Sequence, residues 1–360
     1  MRRVDGSQTR PTSKGDTIDT MKAAVLRAPY ELQIEDVQRP LVPRGHVLVR
    51  VRATAVCGTD VGIYKGKVAA RLPVIQGHES TGVVAEIGED VIGLGVGERV
   101  VLNSVIFCRH CAFCYSGKVN LCPNGGLMGR EVDGTFADYV CVPDFNAIRI
   151  PDSISHEDGT SLIALATVFQ AHEKLSITPG QSVAVIGQGA AGLLQTRLSV
   201  VSGAEPVFAI TRSQWKLDIA ESFGATPIVA GKVDPVAAVI AATGGVGADI
   251  VIESVGGGST LRQAMQMVRP GGTVLCFGIM PANVDSFDGY AMYFKELTLL
   301  GSRGMAPNNF ASAIAIVESG RLDLRPFITH RFGLEQTKDA LDLVDREPGK
   351  TLRVVVAVED

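Results

Sequence analysis

Apolar residues in this chain gather in short runs, and the rhythm of those runs changes once, near Pro151. Between about residues 21 and 150 they are β-type stretches such as 46–53 and 80–87, broken by Gly and Pro. That texture predicts a mostly β unit. Beyond Pro151, apolar runs at 182–186, 207–210, 227–229, 249–253, 273–277 and 297–300 alternate for the most part with helix-length segments. Such spacing predicts a parallel, doubly wound sheet. From about Met305 one helix-like run leads to a β-rich stretch at 351–358, which predicts a strand returning to the first unit. The expected division is a flexible tail over 1–20, a β-rich unit over 21–160, an α/β unit over 161–304 and a returning segment over 305–360.

A length of 360 residues exceeds the usual size of one core and agrees with two units. Hydrophobic residues at 46% and charged residues at 20% are the balance of a soluble globular protein, not of a disordered or membrane one. A net charge of -4, with no Lys/Arg run longer than two, gives no general attraction to nucleic acid or anionic lipid. The most apolar stretch, 193–201, is interrupted by Gln195, Thr196, Arg197 and Ser199, so no membrane span is expected. The polar first twenty residues do not read as a secretory signal. Seven cysteines, four of them within fifteen residues, suit metal binding in a reducing compartment better than a disulfide framework. A cytoplasmic location is expected.

Gly187-Gln188-Gly189-Ala190-Ala191-Gly192 follows an apolar run and opens a helical pattern. In that context Gly187 permits a tight turn, Gly189 lets the backbone approach a pyrophosphate, and Gly192 lets helix and strand pack closely. Glycine spacing alone is weak in a chain with 40 glycines; the flanking strand and helix turn it into a dinucleotide-binding reading. An acidic residue at the end of the second strand would take the adenosine ribose hydroxyls. Here Thr211 and Arg212 stand there, with Lys216 one turn on. Repulsion toward a 2′-phosphate is absent and cations are offered, so NADP(H) is expected over NAD(H). The bland alternative makes Arg212 and Lys216 solvated surface charges.

Cys108, Cys111, Cys114 and Cys122 are separated by two, two and seven residues. Four thiolates from one loop can close a tetrahedral shell around zinc with no position left for substrate, which predicts a structural site. A zinc ribbon for DNA conflicts with the acidic balance. Cys57 and the pair His78-Glu79 are the remaining candidates for an open metal site, where thiolate, imidazole and carboxylate leave one position free. Taken singly, Cys57 could be a core thiol and His78 a satisfied turn histidine. Cys141 and Cys276, within β-type runs, are read as core thiols.

Cys57-Gly58-Thr59-Asp60, Gly77-His78-Glu79, the four-cysteine lobe and the glycine turn, in this order, resemble the zinc-containing medium-chain alcohol and polyol dehydrogenases. The resemblance runs from Met21 to about Val358. It implies a GroES-like, mostly β catalytic domain carrying catalytic and structural zinc, a Rossmann domain, a C-terminal segment returning to the catalytic domain, and a homodimer or homotetramer. It also implies that Cys57 and His78 bind the catalytic zinc, that Glu79 binds it or stands beside it, that Asp60 orients His78, that Thr59 relays a proton, and that Arg353 contacts the cofactor pyrophosphate. In two places the chain departs from the family. Gly62 stands where many members have a relay histidine, and Ile163 where relatives place a further zinc ligand. The expected activity is hydride transfer between a secondary alcohol, of polyol, diol or sugar-derivative type, and NADP(H). A zinc-independent NADPH reductase of activated double bonds and a non-catalytic dinucleotide-binding protein with structural zinc are the alternatives. The polarity of Asn103 and Ser104 hints weakly at a hydroxylated substrate.

Overall fold

Val183–Ile186 is buried at all four positions, the signature of a strand covered on both faces. In the computed structural model, which describes residues 19–285 and 287–358, it lies inside a six-stranded sheet. The order across that sheet is Thr226–Val229, Val207–Thr211, Val183–Ile186, Ala248–Glu253, Val268–Cys276, Thr298–Gly301, and every pairing is parallel. These are the six runs expected from the sequence. The chain lays two strands outward from Val183–Ile186 and then crosses to its other side with Ala248–Glu253. A crevice for a ligand therefore opens at the carboxyl ends of those two central strands.

Side chains alternate between the two faces of the sheet. Val183, Val185, Ala209 and Ile252 pack with Leu193, Leu165 and Phe310 from the helices Ala190–Val201, Ser161–His172 and Pro307–Glu318. Ala184, Ile186, Phe208 and Val251 pack with Val239, Leu261 and Met265 from Pro235–Ala242 and Gly258–Met267. The fold is a mixed α/β one of Rossmann type joined to a mostly β unit.

That β unit is built on a seven-stranded sheet, ordered Ala147–Arg149, Arg99–Leu102, Glu79–Ile87, His46–Val56, Arg353–Ala357, Ile328–Gly333, with Tyr139–Pro143 also paired to His46–Val56. A second sheet of three strands carries Thr20–Ala28. The register matters for chemistry. Ala55 lies opposite Glu79, and Val354 lies opposite Val56, so the ends of three adjacent strands meet where Cys57 begins a helix.

Two local expectations need correction. Thr20, placed in the tail, opens the first strand opposite Gln38, and Asp19 pairs with Arg39; residues 1–18 lie outside the described residues. The segment after Met305 holds two longer helices, not one, because Thr337–Arg346 buries only Thr337, Ala340 and Leu341 and reads as charged along most of its length. Among the described residues no helix is long and apolar enough to cross a membrane.

Candidate active site

Cys57 ends the run of strand His46–Val56 and caps the helix Gly58–Tyr64. Asp60, three residues on and fully buried, reaches back to accept the Cys57 N–H at 2.9 Å through Oδ2. Its other oxygen, Oδ1, accepts from His78 Nδ1 at 3.0 Å. A carboxylate accepting at Nδ1 fixes the tautomer and leaves Nε2 as the lone-pair nitrogen, the arrangement of a metal-binding imidazole. Gly77 allows His78 to be there. Its φ is +93°, and a Cβ on it would lie 2.8 Å from the Phe136 backbone nitrogen, so a side chain meets both strain and collision.

Ligand atoms of Cys57, His78 and Glu79 all lie within 4.8 Å of one another. Burial alone would pull the His78 pKa down, but the Asp60 carboxylate and the Cys57 sulfur outweigh it and raise it well above the ordinary value. Cys57, His78 and Glu79 fit zinc in residue type and in proximity. Glu79 is buried, and its Oε2 is 2.6 Å from Nη1 of Arg353. Arg353 is itself buried, gives Nη2 to the Thr160 carbonyl at 2.8 Å, and keeps Nε without a hydrogen bond. Arg353 is therefore a buried partner of Glu79 at the start of its strand.

One of the two departures from the family pattern has a visible local cause. A Cβ at Gly62 would lie 2.8 Å from Val68 Cγ2, so Val68 fills the space that a histidine there would need. Ile163 is fully buried in the core behind the helix Ser161–His172 and offers no ligand. Thr59 is half-buried on the first turn of its helix. Asn103 and Ser104 are fully buried, and Asn103 Oδ1 accepts the Val105 N–H, a local turn contact.

The four sulfurs of the cysteine lobe stand in a tetrahedron's proportions. Cys108–Cys114 is 4.0 Å, Cys111–Cys114 and Cys108–Cys122 are 3.5 Å, and Cys111–Cys122 is 3.8 Å. Tetrahedral zinc with bonds of about 2.3 Å requires sulfur separations of about 3.8 Å, whereas a disulfide needs about 2.05 Å. The Cys108 thiol is brought down to about 6, chiefly by the His110 backbone N–H, while burial pushes Cys114 up to about 12. Together, the sulfurs are placed to share one cation.

At the glycine turn, Gly187 has φ +92° and bonds its N–H to the Ile210 carbonyl. A Cβ on Gly192 would lie 1.8 Å from the Gly187 oxygen, so helix and strand touch only through glycine. Gly189, which caps the helix Ala190–Val201, faces space with nothing within 4 Å, a cradle that fits a pyrophosphate. Thr211 ends its strand, and Arg212 is exposed with no hydrogen bond or ion pair among the described residues. Lys216 departs from its expected place. It is buried, and its ammonium donates to the Pro348 carbonyl at 2.8 Å. The sequence reading also passed over Glu253, a buried carboxylate that accepts the Val255 and Gly256 N–H groups and the Thr260 hydroxyl and so holds the loop beside Gly187. Its position at the carboxyl end of a central strand was the available signal.

The family described as alcohol dehydrogenase GroES-like domain matches residues 43–152, and that described as zinc-binding dehydrogenase matches residues 190–319. The chain is 32% identical over 344 residues to the Neosartorya fischeri protein named "Probable D-xylulose reductase A", covering 92% of this chain and 95% of that one. It is 34% identical over 333 residues to the L-threonine 3-dehydrogenase of Pyrococcus horikoshii, covering 91% and 95%. A structure described as that of a zinc-binding dehydrogenase from Sinorhizobium meliloti 1021 bound to NADP superposes with a TM-score of 0.88 at 31% identity, over 94% of this chain and 99% of that one. The chain belongs to the zinc-containing medium-chain dehydrogenase family.

Proposed function

We propose that this protein oxidises a secondary alcohol to a ketone, or runs that reaction in reverse, with catalytic zinc and NADP(H). The observation that carries the reading is the convergence of Cys57, His78 and Glu79, brought within 4.8 Å by neighbouring strand ends and braced by Asp60. When bound, zinc acts as a Lewis acid that lowers the alcohol's pKa, and the nicotinamide accepts the hydride. Cys57 and His78 hold the metal, and Glu79 joins them or stands beside them against Arg353. Asp60 keeps the imidazole oriented. Thr59 passes the alcohol's proton outward, and with Val68 packed at Gly62 the onward path runs through water.

Cys108, Cys111, Cys114 and Cys122 hold a structural zinc. Gly187, Gly189 and Gly192 cradle the pyrophosphate, with Arg353 on its catalytic side, and Thr211 and Arg212 favour the 2′-phosphate. The NADP bound to the Sinorhizobium meliloti relative supports that preference. The names of the D-xylulose reductase and L-threonine 3-dehydrogenase relatives fit a small polar secondary alcohol of polyol, diol or sugar-derivative type. Seven free cysteines fit a cytoplasmic enzyme. A homodimer or homotetramer is proposed on the outer edge of Thr298–Gly301 and the exposed Tyr290, Tyr293 and Phe294 beside it.

Ile163, which supplies no ligand, favours a second reading: a zinc-independent NADPH reductase of activated double bonds. NADPH oxidation against a panel of ketones, aldehydes and enones separates the two. Turnover of polyhydroxylated ketones is expected; turnover of enones alone would select the second reading, and none at all a binding protein.

A further inference from the structure

Ile186, Glu253, Cys276 and Gly301 stand in one row of the parallel sheet, each in register with the next. The residues that follow them, Gly187, Ser254, Phe277 and Ser302, make the rim of the crevice, and Thr211 continues that row on the other side of Gly187. Ser302 lies three strand spacings, about 14 Å, from the glycine turn. The carbonyls on either side of Ser302 each take a side-chain donor. Lys174, two residues past the helix Ser161–His172, gives Nζ to the Gly301 oxygen at 2.6 Å. Asn120 gives Nδ2 to the Arg303 oxygen at 2.8 Å. The first donor belongs to the α/β unit itself and the second to the β unit, for buried Asn120 lies in the turn Val119–Leu121, between Cys114 and Cys122 of the cysteine lobe. Gly304 fits against the same side chain. Its φ is +58°, and a Cβ on it would lie 3.4 Å from the Asn120 Cβ and 3.7 Å from Val105 Cγ2.

We propose that Asn120 is a positioning residue for the nicotinamide half of the cofactor: by holding the Arg303 carbonyl it sets the rim at Ser302 against which that half rests. The proposal rests on the dinucleotide and hydride-transfer reading and adds a residue outside both the metal site and the glycine turn. With the adenosine end at Thr211, on one side of Gly187, the nicotinamide half runs the other way along the rim, past Ser254 and Phe277 toward Ser302. The role is static. A fixed donor on a fixed carbonyl holds the backbone there, and misplacing reacting atoms by about 1 Å costs about 100-fold in rate. Asn120 itself touches neither cofactor nor substrate; it acts through residues 302–304.

The test uses the zinc-loaded full chain and Asn120→Leu, which keeps the volume of the side chain and removes its donor. Three quantities are read: single-turnover hydride transfer from saturating NADPH to a ketone, NADPH affinity, and affinity for adenosine 2′,5′-bisphosphate, which fills only the adenosine end. NADH and adenosine 5′-monophosphate replace them should the wild type prefer NADH. Hydride transfer is expected to fall about tenfold or more and NADPH affinity about fivefold, with bisphosphate affinity within about twofold of wild type and zinc content unchanged. Hydride transfer within about twofold of wild type would overturn the proposal, as would parallel loss of affinity for NADPH and the bisphosphate, the mark of a general loosening. Asn120→Ser, whose hydroxyl ends one bond short of the carbonyl, should show the same split and serves if the leucine variant does not fold. Failure of both to fold would make the bond a folding contact and overturn the role. If the wild type binds NADPH yet reduces no ketone, aldehyde or enone, the hydride-transfer reading fails by itself, and the affinity split decides for Asn120. If neither NADPH nor NADH binds the wild type, the dinucleotide reading fails and takes the proposal with it.

Discussion

Glu79 has two claims on its carboxylate, the Arg353 guanidinium at 2.6 Å and the cluster with Cys57 and His78. As a ligand it should lose metal when its charge is removed, so Glu79→Gln is expected to lower zinc occupancy and turnover together; full occupancy in the variant would make it a bystander. Arg212 is exposed and unengaged among the described residues, and a charge-assisted bond to a 2′-phosphate contributes about 1.5–3 kcal/mol. Arg212→Ala should therefore reduce kcat/KM about 10- to 100-fold with NADPH and hardly change it with NADH, with equal losses defeating the assignment. Residues whose chemistry is written in local spacing were legible in advance: the four cysteines, the glycine turn, and Cys57 with Asp60 three residues on. The Glu79–Arg353 pair and Val68 in the relay position were not, because strand register and packing make them, and neither leaves a mark in neighbouring sequence.

The helix Ser161–His172 carries a cost at its far end. Part of His172 reaches the surface, but both ring nitrogens are shut off from solvent without a hydrogen bond, as are both amide atoms of Gln195 on the facing helix. Burial takes the imidazole from 6.5 down to about 4, against a small opposing pull from Gln195. The unfolded chain binds this proton more readily, so the stability tied to neutral His172 is complete above about pH 6.5 and is lost as pH falls. Between pH 7.5 and 5 the loss is about 2 kcal/mol, and denaturant melts should show His172→Phe losing visibly less than the wild type over that window. An unchanged slope would contradict this. Elements with strong apolar rhythm, such as the six parallel strands, were readable from the sequence. Thr337–Arg346 was not, since its apolar face is only a few residues wide. In the cysteine lobe, Cys111→Ser should lower stability and solubility far more than it alters the chemistry of surviving enzyme, measured as melting temperature against kcat.

At the scale of the molecule, the sheet ends in Thr298–Gly301 with one edge unpaired among the described residues, beside exposed Tyr290, Tyr293 and Phe294. Open edges with aromatic neighbours favour association, and light scattering is expected to give a dimer or tetramer, with Tyr293→Lys shifting it toward monomer. The two-unit architecture was legible because strand texture changes at Pro151. The two hydrogen bonds from Trp215 and Lys216 to the carbonyls of Gly349 and Pro348 were not, for they join residues far apart in sequence through backbone carbonyls. The central claim is a zinc-dependent reaction at Cys57, His78 and Glu79, held by fewer protein ligands than the closed cysteine site because Ile163 gives none. The most direct test follows zinc content, turnover and circular dichroism together during graded EDTA treatment. About two zinc ions per chain are expected at the start; the first to leave should abolish turnover while the fold persists, and added zinc should restore activity. Undiminished turnover after the Cys57 and His78 metal has gone would contradict the account.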